Sequence, residues 1–134
     1  MKHSEFPPHS EFREHAPTIL RLGLSAVFIW FGISQIVNPI NFIGYLPDVL
    51  FSSGHSTQFV YANGIFEIIA GGLLAVGFWT RLMAFLLGTH LLAIMIVLGY
   101  GEAAVRDFGL TIATFAIAMW GPDSWCIDKK VKRR

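Results

Sequence analysis

The sequence has little cysteine and little charge. Its 134 residues include one cysteine, Cys126, so an intramolecular disulfide and a CxxC redox pair are both excluded. Only 14% of the residues are charged, and a formal net charge of +1 gives no electrostatic reason to expect a nucleic-acid partner. The sequence also lacks a nucleophile triad and a phosphate-binding loop, which disfavours a free-standing hydrolase or kinase.

Apolar residues, in contrast, are abundant. They make up 54% of the chain, and the mean hydropathy is +0.56. A soluble domain of this length could not bury so much apolar surface, so the composition indicates a membrane protein. Four apolar segments are each about 18 to 21 residues long, enough to cross a ~30 Å hydrocarbon core as helices. They cover residues 17–37, 59–78, 82–100 and 104–121. We therefore predict an all-α integral membrane bundle of four helices.

The positive charges predict how this bundle is oriented. If both termini are cytoplasmic, Arg81 and the basic C-terminal tail lie inside, and the two outer loops contain no Lys or Arg. This asymmetry follows the positive-inside rule. The first sixteen residues are polar, and no cleavage site follows the first apolar run, so that run is predicted to remain as a membrane anchor. The expected division is a polar tail over 1–16, a transmembrane domain over 17–128 and a basic cytoplasmic tail over 129–134.

Residues 38–58 connect the first two predicted helices and are too apolar for a free loop. Prolines and glycines interrupt this stretch, yet it contains Phe42, Leu46 and Leu50. We expect it to lie along the outer membrane interface or to cap the bundle.

The N-terminal tail contains a short repeat, "HSEFPP" followed by "HSEFRE". His3, His9 and His15 recur every six residues. A metal-binding tract and a tail of repeated composition are both compatible with this pattern, and we assign no site there.

Polar residues inside the apolar segments fall on shared helical faces. At a spacing of three or four residues, one face of each of three segments is polar and small, which favours close inward packing in lipid. These faces carry Arg21, Ser25, Phe28, Gly32 and Gln35; Asn63, Glu67 and Gly71; and Asp107, Thr111, Thr114, Ala118 and Gly121. On the third segment His90 is the single ionisable residue, in a row with Met83, Leu86, Ile94 and Val97.

Ionisable residues within a membrane are costly and usually face the bundle interior, so each is a candidate functional residue. Glu67 lies ~12 Å below the outer end of its segment and His90 at a similar level, which permits a polar pocket in the outer half of the bundle. The candidates for ligand binding or proton handling are Arg21, Gln35, Asn63, Glu67, His90, Arg106 and Asp107. With one intramembrane histidine, neither haem nor a metal ion is expected.

Each candidate has a structural alternative. Glu67 could form a buried pair with Arg21, His90 or Arg106, or be protonated, because desolvation disfavours a charged carboxylate. His90 could be a satisfied interior histidine, a proton relay or a hydrogen-bond donor to a quinone-like carbonyl. Asp107 could complement the dipole of a helix start while Arg106 extends to the surface, or both could flank a pocket mouth.

These residues occur in motifs that resemble the DoxX family, within the wider group of small DoxX/DoxD-like membrane proteins. The resemblance covers residues 18–128 in three stretches, "LRLGLSAVFIWFGISQI", "FEIIAGGLLAVGFWTRLMA" and "RDFGLTIATFAIAMWGPDSWCID". The most diagnostic motif is E-x-x-x-G-x-L-L-x-x-G-x-x-T-R, from Glu67 to Arg81. A closing G-P-x-S-x-x-x-D motif runs from Gly121 to Asp128.

The resemblance implies a four-helix bundle in the bacterial cytoplasmic membrane. Arg21 and Glu67 match the family's intramembrane charged positions, and Arg81 matches its cytoplasmic turn. Some relatives belong to a thiosulfate:quinone oxidoreductase, in which the DoxD-like part handles the quinone side. This chain has no recognisable thiosulfate-handling domain, so a complete enzyme is not expected.

Three functions follow from these observations. The first is a redox-associated subunit that binds a quinone or a similar apolar ligand between its helices and receives electrons from a partner. The second is a non-enzymatic accessory or scaffold subunit, whose polar faces only fix helix packing. The third is a proton or solute pathway with Glu67 as the coupling carboxylate. All three place the chain in a lipid bilayer, with a partner subunit or a second copy of itself.

Overall fold

Four long helices dominate the computed structural model, which describes residues 10–132. They are α1 (Ser10–Val37), α3 (Ser56–Val76), α4 (Thr80–Leu98) and α5 (Glu102–Trp120). Shorter elements are a 3₁₀ helix (Pro39–Tyr45), α2 (Asp48–Phe51) and α6 (Ile127–Val131). The described range contains no strand. All four long helices are long and apolar enough to cross a membrane, which confirms the predicted all-α four-helix membrane bundle.

All four long helices begin earlier than the predicted apolar segments, by two residues for α4 and α5 and by more for α1 and α3. α1 starts at Ser10 and α3 at Ser56, because polar residues continue each helix beyond its apolar part. The predicted boundary at residue 16 therefore falls inside α1. His15 is exposed on α1, whereas His3 and His9 of the repeat lie outside the described residues.

The four helices alternate in direction, so the bundle has two ends. The loop end carries the connection from Asn38 to His55 and the short link between α4 and α5. The turn end carries the tight α3–α4 turn and the chain after α5. At that turn α3 ends on Gly77, whose φ of 73° is the left-handed conformation that favours glycine.

The helices associate mainly as two pairs, α1 with α3 and α4 with α5. Glycines bring α1 and α3 together: a Cβ on Gly32 would lie 2.6 Å from the carbonyl oxygen of Gly64, and one on Gly64 would lie 2.8 Å from that of Gly32. In lipid, where apolar surface gives no drive for association, such backbone approach holds helices together through van der Waals contact. In the other pair, the ring of Phe115 covers Gly88, where an added Cβ would lie 3.0 Å from the ring.

The polar faces predicted on three helices point inward. Arg21, Ser25 and Gln35 of α1, Glu67 of α3 and Asp107 of α5 are all buried. On α4 the row that contains His90 is only partly buried, because Leu86 and Val97 are exposed. The buried face of α4 is rotated from this row, so His90 lies at its edge, half-buried. It consists of Thr80, Met83, Ala84, Leu87, Gly88 and Leu91.

The apolar connection at the loop end folds over the bundle, as its composition predicts. Its 3₁₀ helix contacts α1, α3 and α4. Phe42 meets the ring of Phe31 of α1 edge-on at 6.5 Å. The connection thereby covers the space that separates the two helix pairs at this end.

Candidate functional site

Glu67 is the centre of a polar cluster near the middle of the bundle. Its carboxylate accepts hydrogen bonds from Gln35 Nε2 at 2.8 Å, Asn63 Nδ2 at 3.3 Å and His90 Nε2 at 3.1 Å. Among the three partners considered from the sequence, the structure thus selects His90. Asn63, the partner on α3 itself, is one helical turn before Glu67, as the predicted polar face requires.

The two amides of this cluster have defined orientations. Asn63 Nδ2 also donates to Gln35 Oε1 at 2.7 Å, so its two hydrogens are directed at two oxygen acceptors. A flipped Asn63 would place an oxygen against both of those acceptors. Its own Oδ1 therefore remains as an acceptor, without a hydrogen-bond partner among the described residues.

A cavity of about 240 Å³ adjoins this cluster. Its walls are mostly apolar and come from α1, α3, α4, α5 and the loop-end connection, with Phe31, Leu46 and Leu110 as examples. Gln35, Asn63, Glu67 and His90 line it together with Arg106 and Asp107. An apolar space with a few convergent polar groups is typical of a small-molecule site.

Glu67 lies close to the midpoint of α3. It is eleven residues after Ser56, the first residue of α3, or ~16 Å along a 21-residue helix. His90 is correspondingly central in α4. The cavity thus extends from the loop end to about the middle of the bundle.

Arg106 and Asp107 lie on the α5 side of the same cavity. Asp107 is buried and accepts a hydrogen bond from Arg106 Nε at 2.9 Å, while the Arg106 guanidinium lies 5.7 Å from the centre of the Phe31 ring. Because α5 begins at Glu102, Asp107 is in its second turn, and the interpretation of Asp107 as a first-turn dipole partner was wrong. Both residues line the cavity instead.

Arg21 is the one candidate that the structure separates from the others. Its Nε donates to Asp123 Oδ2 at 2.8 Å, and its Nη2 approaches Asp123 Oδ1 at 3.5 Å. Its Nη1 donates to the carbonyl of Leu74 at 2.8 Å and to that of Ala75. These carbonyls belong to the last turn of α3, so Arg21 caps that helix at the turn end.

The segment after α5 completes the turn end. Asp123 also accepts a hydrogen bond from the Trp125 backbone N–H at 2.9 Å. Burial would raise the pKa of Asp123, but the hydrogen bonds from Arg21 and Trp125 outweigh it and hold that pKa below its usual range. Cys126, fully buried, packs against Gly77.

Asp128 plays the same structural role for α4. It accepts hydrogen bonds from the backbone N–H groups of Trp79 and Thr80 at 2.9 and 2.8 Å, and from the Thr80 hydroxyl at 2.9 Å. Burial opposes ionisation here too, yet the Thr80 and Trp79 hydrogen bonds lower the pKa of Asp128. The α4 N-terminus is therefore capped by a residue from a distant part of the chain.

The sequence interpretation missed Asp123 and Asp128 as interaction partners. Two aspartates after the last apolar segment, in "GPDSWCID", were the available signal, together with an intramembrane Arg21 that needed a counter-ion. Within residues 10–132, no group of three or more His, Cys, Asp or Glu side chains could hold a metal ion.

Fold and site together define a class: a small multi-pass membrane protein whose four helices enclose an apolar cavity with a central polar cluster. The DoxX family model matches residues 16–101, more than half of the chain, and the protein belongs to the DoxX family. The match begins within α1, runs through α4 and ends before α5. No curated protein and no solved structure shows a significant match to the chain.

Proposed function

We propose that this DoxX-family protein binds a quinone or a similar apolar ring ligand in the cavity beside Glu67 and His90. The main support for this proposal is that one cavity combines apolar walls with six polar residues. Ligands of this type need a dry pocket for the ring and a few placed hydrogen-bonding groups for its oxygen atoms.

The size of the cavity suits a head group and not a whole lipid. Its volume of about 240 Å³ is below the ~300–1,000 Å³ of sites that enclose drug-sized ligands. A ring would occupy the cavity, and an isoprenoid tail would extend into the lipid between the helices.

The hydrogen-bonding groups suit an oxygen that changes between carbonyl and hydroxyl. Arg106 supplies guanidinium donors that Asp107 does not use, and these would meet a carbonyl. Asn63 Oδ1 supplies an acceptor for a hydroxyl. A site with both kinds of group accommodates a ligand in its oxidised and reduced forms.

Glu67 and His90 would supply the protons. With an ionised Glu67, His90 donates from Nε2, so its other ring nitrogen is available toward a ligand as an acceptor or, in the imidazolium, as a donor. Nε2 itself could donate to a ligand carbonyl only if its 3.1 Å contact with Glu67 opened. A proton can pass between these two side chains without leaving the cluster.

A redox role would make the chain one subunit of a membrane oxidoreductase. Quinone handling by DoxD-like relatives supports this proposal, and the electrons would come from a partner subunit. We also propose that the domain spans residues 17–128 and lies in the bacterial cytoplasmic membrane with both termini in the cytoplasm. The basic residues Arg81 and Lys129 both lie at the turn end, which supports a cytoplasmic location for that end.

Ligand content tests the proposal. We expect protein purified in mild detergent to contain quinone, measured by extraction and mass spectrometry, and Glu67→Gln to lose at least tenfold of it. Asp48→Asn is the matched control, because Asp48 is an exposed carboxylate of the loop-end connection. Equal quinone content in wild type and Glu67→Gln, with both proteins folded, contradicts the proposal.

A scaffold role is the second candidate, and the hydrogen bonds around Glu67 favour it. All three donors to its carboxylate come from the protein itself, so the carboxylate of Glu67 is satisfied without a ligand. In that case Glu67→Gln changes stability and assembly while no apolar ligand co-purifies with wild type.

A further inference from the structure

A second cavity, at the opposite end of the bundle from Glu67, has no part in the proposed function. It is a groove of about 450 Å³ between the α3–α4 turn, the first turn of α4 and α6. We propose that this groove binds one phospholipid with an anionic headgroup.

The floor of the groove is apolar and exposed. Phe78 and Trp79 stack with their ring centres 5.2 Å apart and a 20° angle between the planes. Leu82 and Val131 line the groove and are also exposed. These side chains begin where α4 enters its membrane-spanning part, so the groove opens at the level of lipid headgroups and upper acyl chains.

Two cations, Arg81 and Lys132, line the same groove. Neither lies within 4.0 Å of a carboxylate oxygen in the described part of the chain. Asp128 is the one acidic residue of the lining, and its two oxygens already accept three hydrogen bonds from Trp79 and Thr80. The groove therefore retains an excess positive charge for a phosphate group.

The positions of Arg81 and Trp79 are fixed by the backbone around them. The Arg81 guanidinium packs on Gly121, where a Cβ would lie 2.6 Å from Nε. Trp79 adopts a φ of 50°, an unfavourable conformation for a bulky residue, which the hydrogen bond from its N–H to Asp128 maintains. An aromatic floor and a guanidinium are thus held beside each other before a ligand arrives.

The two cations and the apolar floor favour a phospholipid as the ligand of this groove. A phosphate ester would lie between Arg81 and Lys132, and an acyl chain would cover Phe78 and Leu82. A zwitterionic lipid would bring an ammonium group to an already positive groove, so charge favours the anionic class.

Lipid retention under native mass spectrometry tests this proposal. The full chain is purified in mixed micelles with equal phosphatidylglycerol and phosphatidylcholine. We expect wild type to retain about one phosphatidylglycerol per chain. Arg81→Gln/Lys132→Gln should reduce that affinity about 30-fold, since each basic residue near an anionic lipid surface contributes roughly fivefold.

Lys129→Gln/Lys130→Gln is the matched control, because it removes the same charge from exposed positions that do not line the groove. We expect this control to retain the lipid. Equal losses in the two double variants would overturn the proposal in favour of diffuse attraction by the basic tail. The four changes are at exposed or solvent-facing side chains, and unchanged thermal unfolding of both variants confirms that the fold is intact.

Two further measurements distinguish binding of a phospholipid from binding of free phosphate. Leu82→Ser leaves the charge unchanged and should weaken phosphatidylglycerol retention, because it removes acyl-chain contact. Inorganic phosphate in the millimolar range should not displace the lipid. If phosphate displaces it, or Leu82→Ser has no effect, the groove is not a phospholipid site. Quinone content is expected to be unaffected by all these variants, so the lipid proposal and the proposed function fail independently.

Discussion

The two buried polar clusters of this protein use the same pair of helices in different ways. α1 and α3 supply Arg21 and the carbonyl of Leu74 to the turn end, and Gln35 and Glu67 to the centre. At the turn end the ionic side chains of Arg21 and Asp123 are 2% and 3% exposed and are enclosed by protein. At the centre, His90 is 20% exposed and its cluster opens on a cavity.

The comparison separates a structural role from a binding role. Arg21 has Asp123 and two backbone carbonyls as partners, which leaves its guanidinium little capacity for a ligand. Asn63 Oδ1 and the free Arg106 donors remain available beside the cavity. Burial of a charged residue in a membrane helix therefore does not by itself indicate a ligand site; the partners decide which role it has.

The first and largest effect should come from Asp123→Asn. The substitution leaves the buried Arg21 guanidinium without a counter-charge, and loss of one partner of a buried pair costs about 3–5 kcal/mol. We expect a large drop in unfolding temperature in detergent, with little change in ligand binding by the molecules that stay folded. An unchanged unfolding temperature would show that the turn-end pair is dispensable.

Gly32→Ala should have the next largest effect, on the helix pair that carries both clusters. The added Cβ would meet backbone at 2.6 Å, and overpacking of this kind costs about 1–3 kcal/mol. Gly23→Ala on the same helix is the control, because nothing lies within 4 Å of its Cβ position and alanine favours helix. Equal denaturation curves for the two variants would contradict close α1–α3 packing.

Asp128→Asn should lower the free energy of unfolding by less, about 1 kcal/mol, as expected for weakening a helix N-cap.

The pH dependence of stability gives a second test of the turn-end carboxylates. Because hydrogen bonds lower the folded-state pKa of Asp123 and Asp128, their stabilisation is present above the unfolded pKa of about 3.9 and is lost as pH falls through the folded value.

Thermal unfolding between pH 7 and pH 3 checks this sign. Wild type should lose stability toward the acid end, and Asp128→Asn should lose less over the same interval because it lacks one of the two groups. An identical acid dependence in both proteins would contradict the assigned role of Asp128.

Glu67→Gln should have a small effect on stability, about 1 kcal/mol. A glutamine keeps one acceptor oxygen for Asn63 and His90, which share Oε1, and loses only the acceptor of Gln35 Nε2. Calorimetry or chemical denaturation in detergent measures this change. A loss as large as that of Asp123→Asn would remove the distinction between the two clusters.

The sequence was sufficient to predict the four helices and most of their buried faces. Apolar length and helical periodicity carry that information, because lipid forces each spanning segment to satisfy its own backbone. Glu67, Gln35 and Asn63 were grouped correctly as facing inward, since their spacing places them on the buried sides of α1 and α3.

The sequence did not predict which residues pair within the turn-end cluster. Arg21 and Asp123 are separated by 102 positions, and only the packed bundle brings them together. The starts of the helices were also inaccurate, because an apolar segment shows where lipid begins and not where a helix begins. The buried face of α4 could not be predicted either, because its nearly uniform apolar composition, in "LMAFLLGTHLLAIMIVL", gives little contrast between buried and lipid-facing sides.

The most direct test of the central claim is ligand-induced stabilisation by a short-tailed quinone. A ligand that binds the folded state raises the free energy of unfolding by about 2.7 kcal/mol at 100 times its Kd. We predict a concentration-dependent rise for wild type and for Asp128→Asn, and none for Glu67→Gln. An equal rise in Glu67→Gln, or no rise in wild type, would contradict a ligand site at the central cluster.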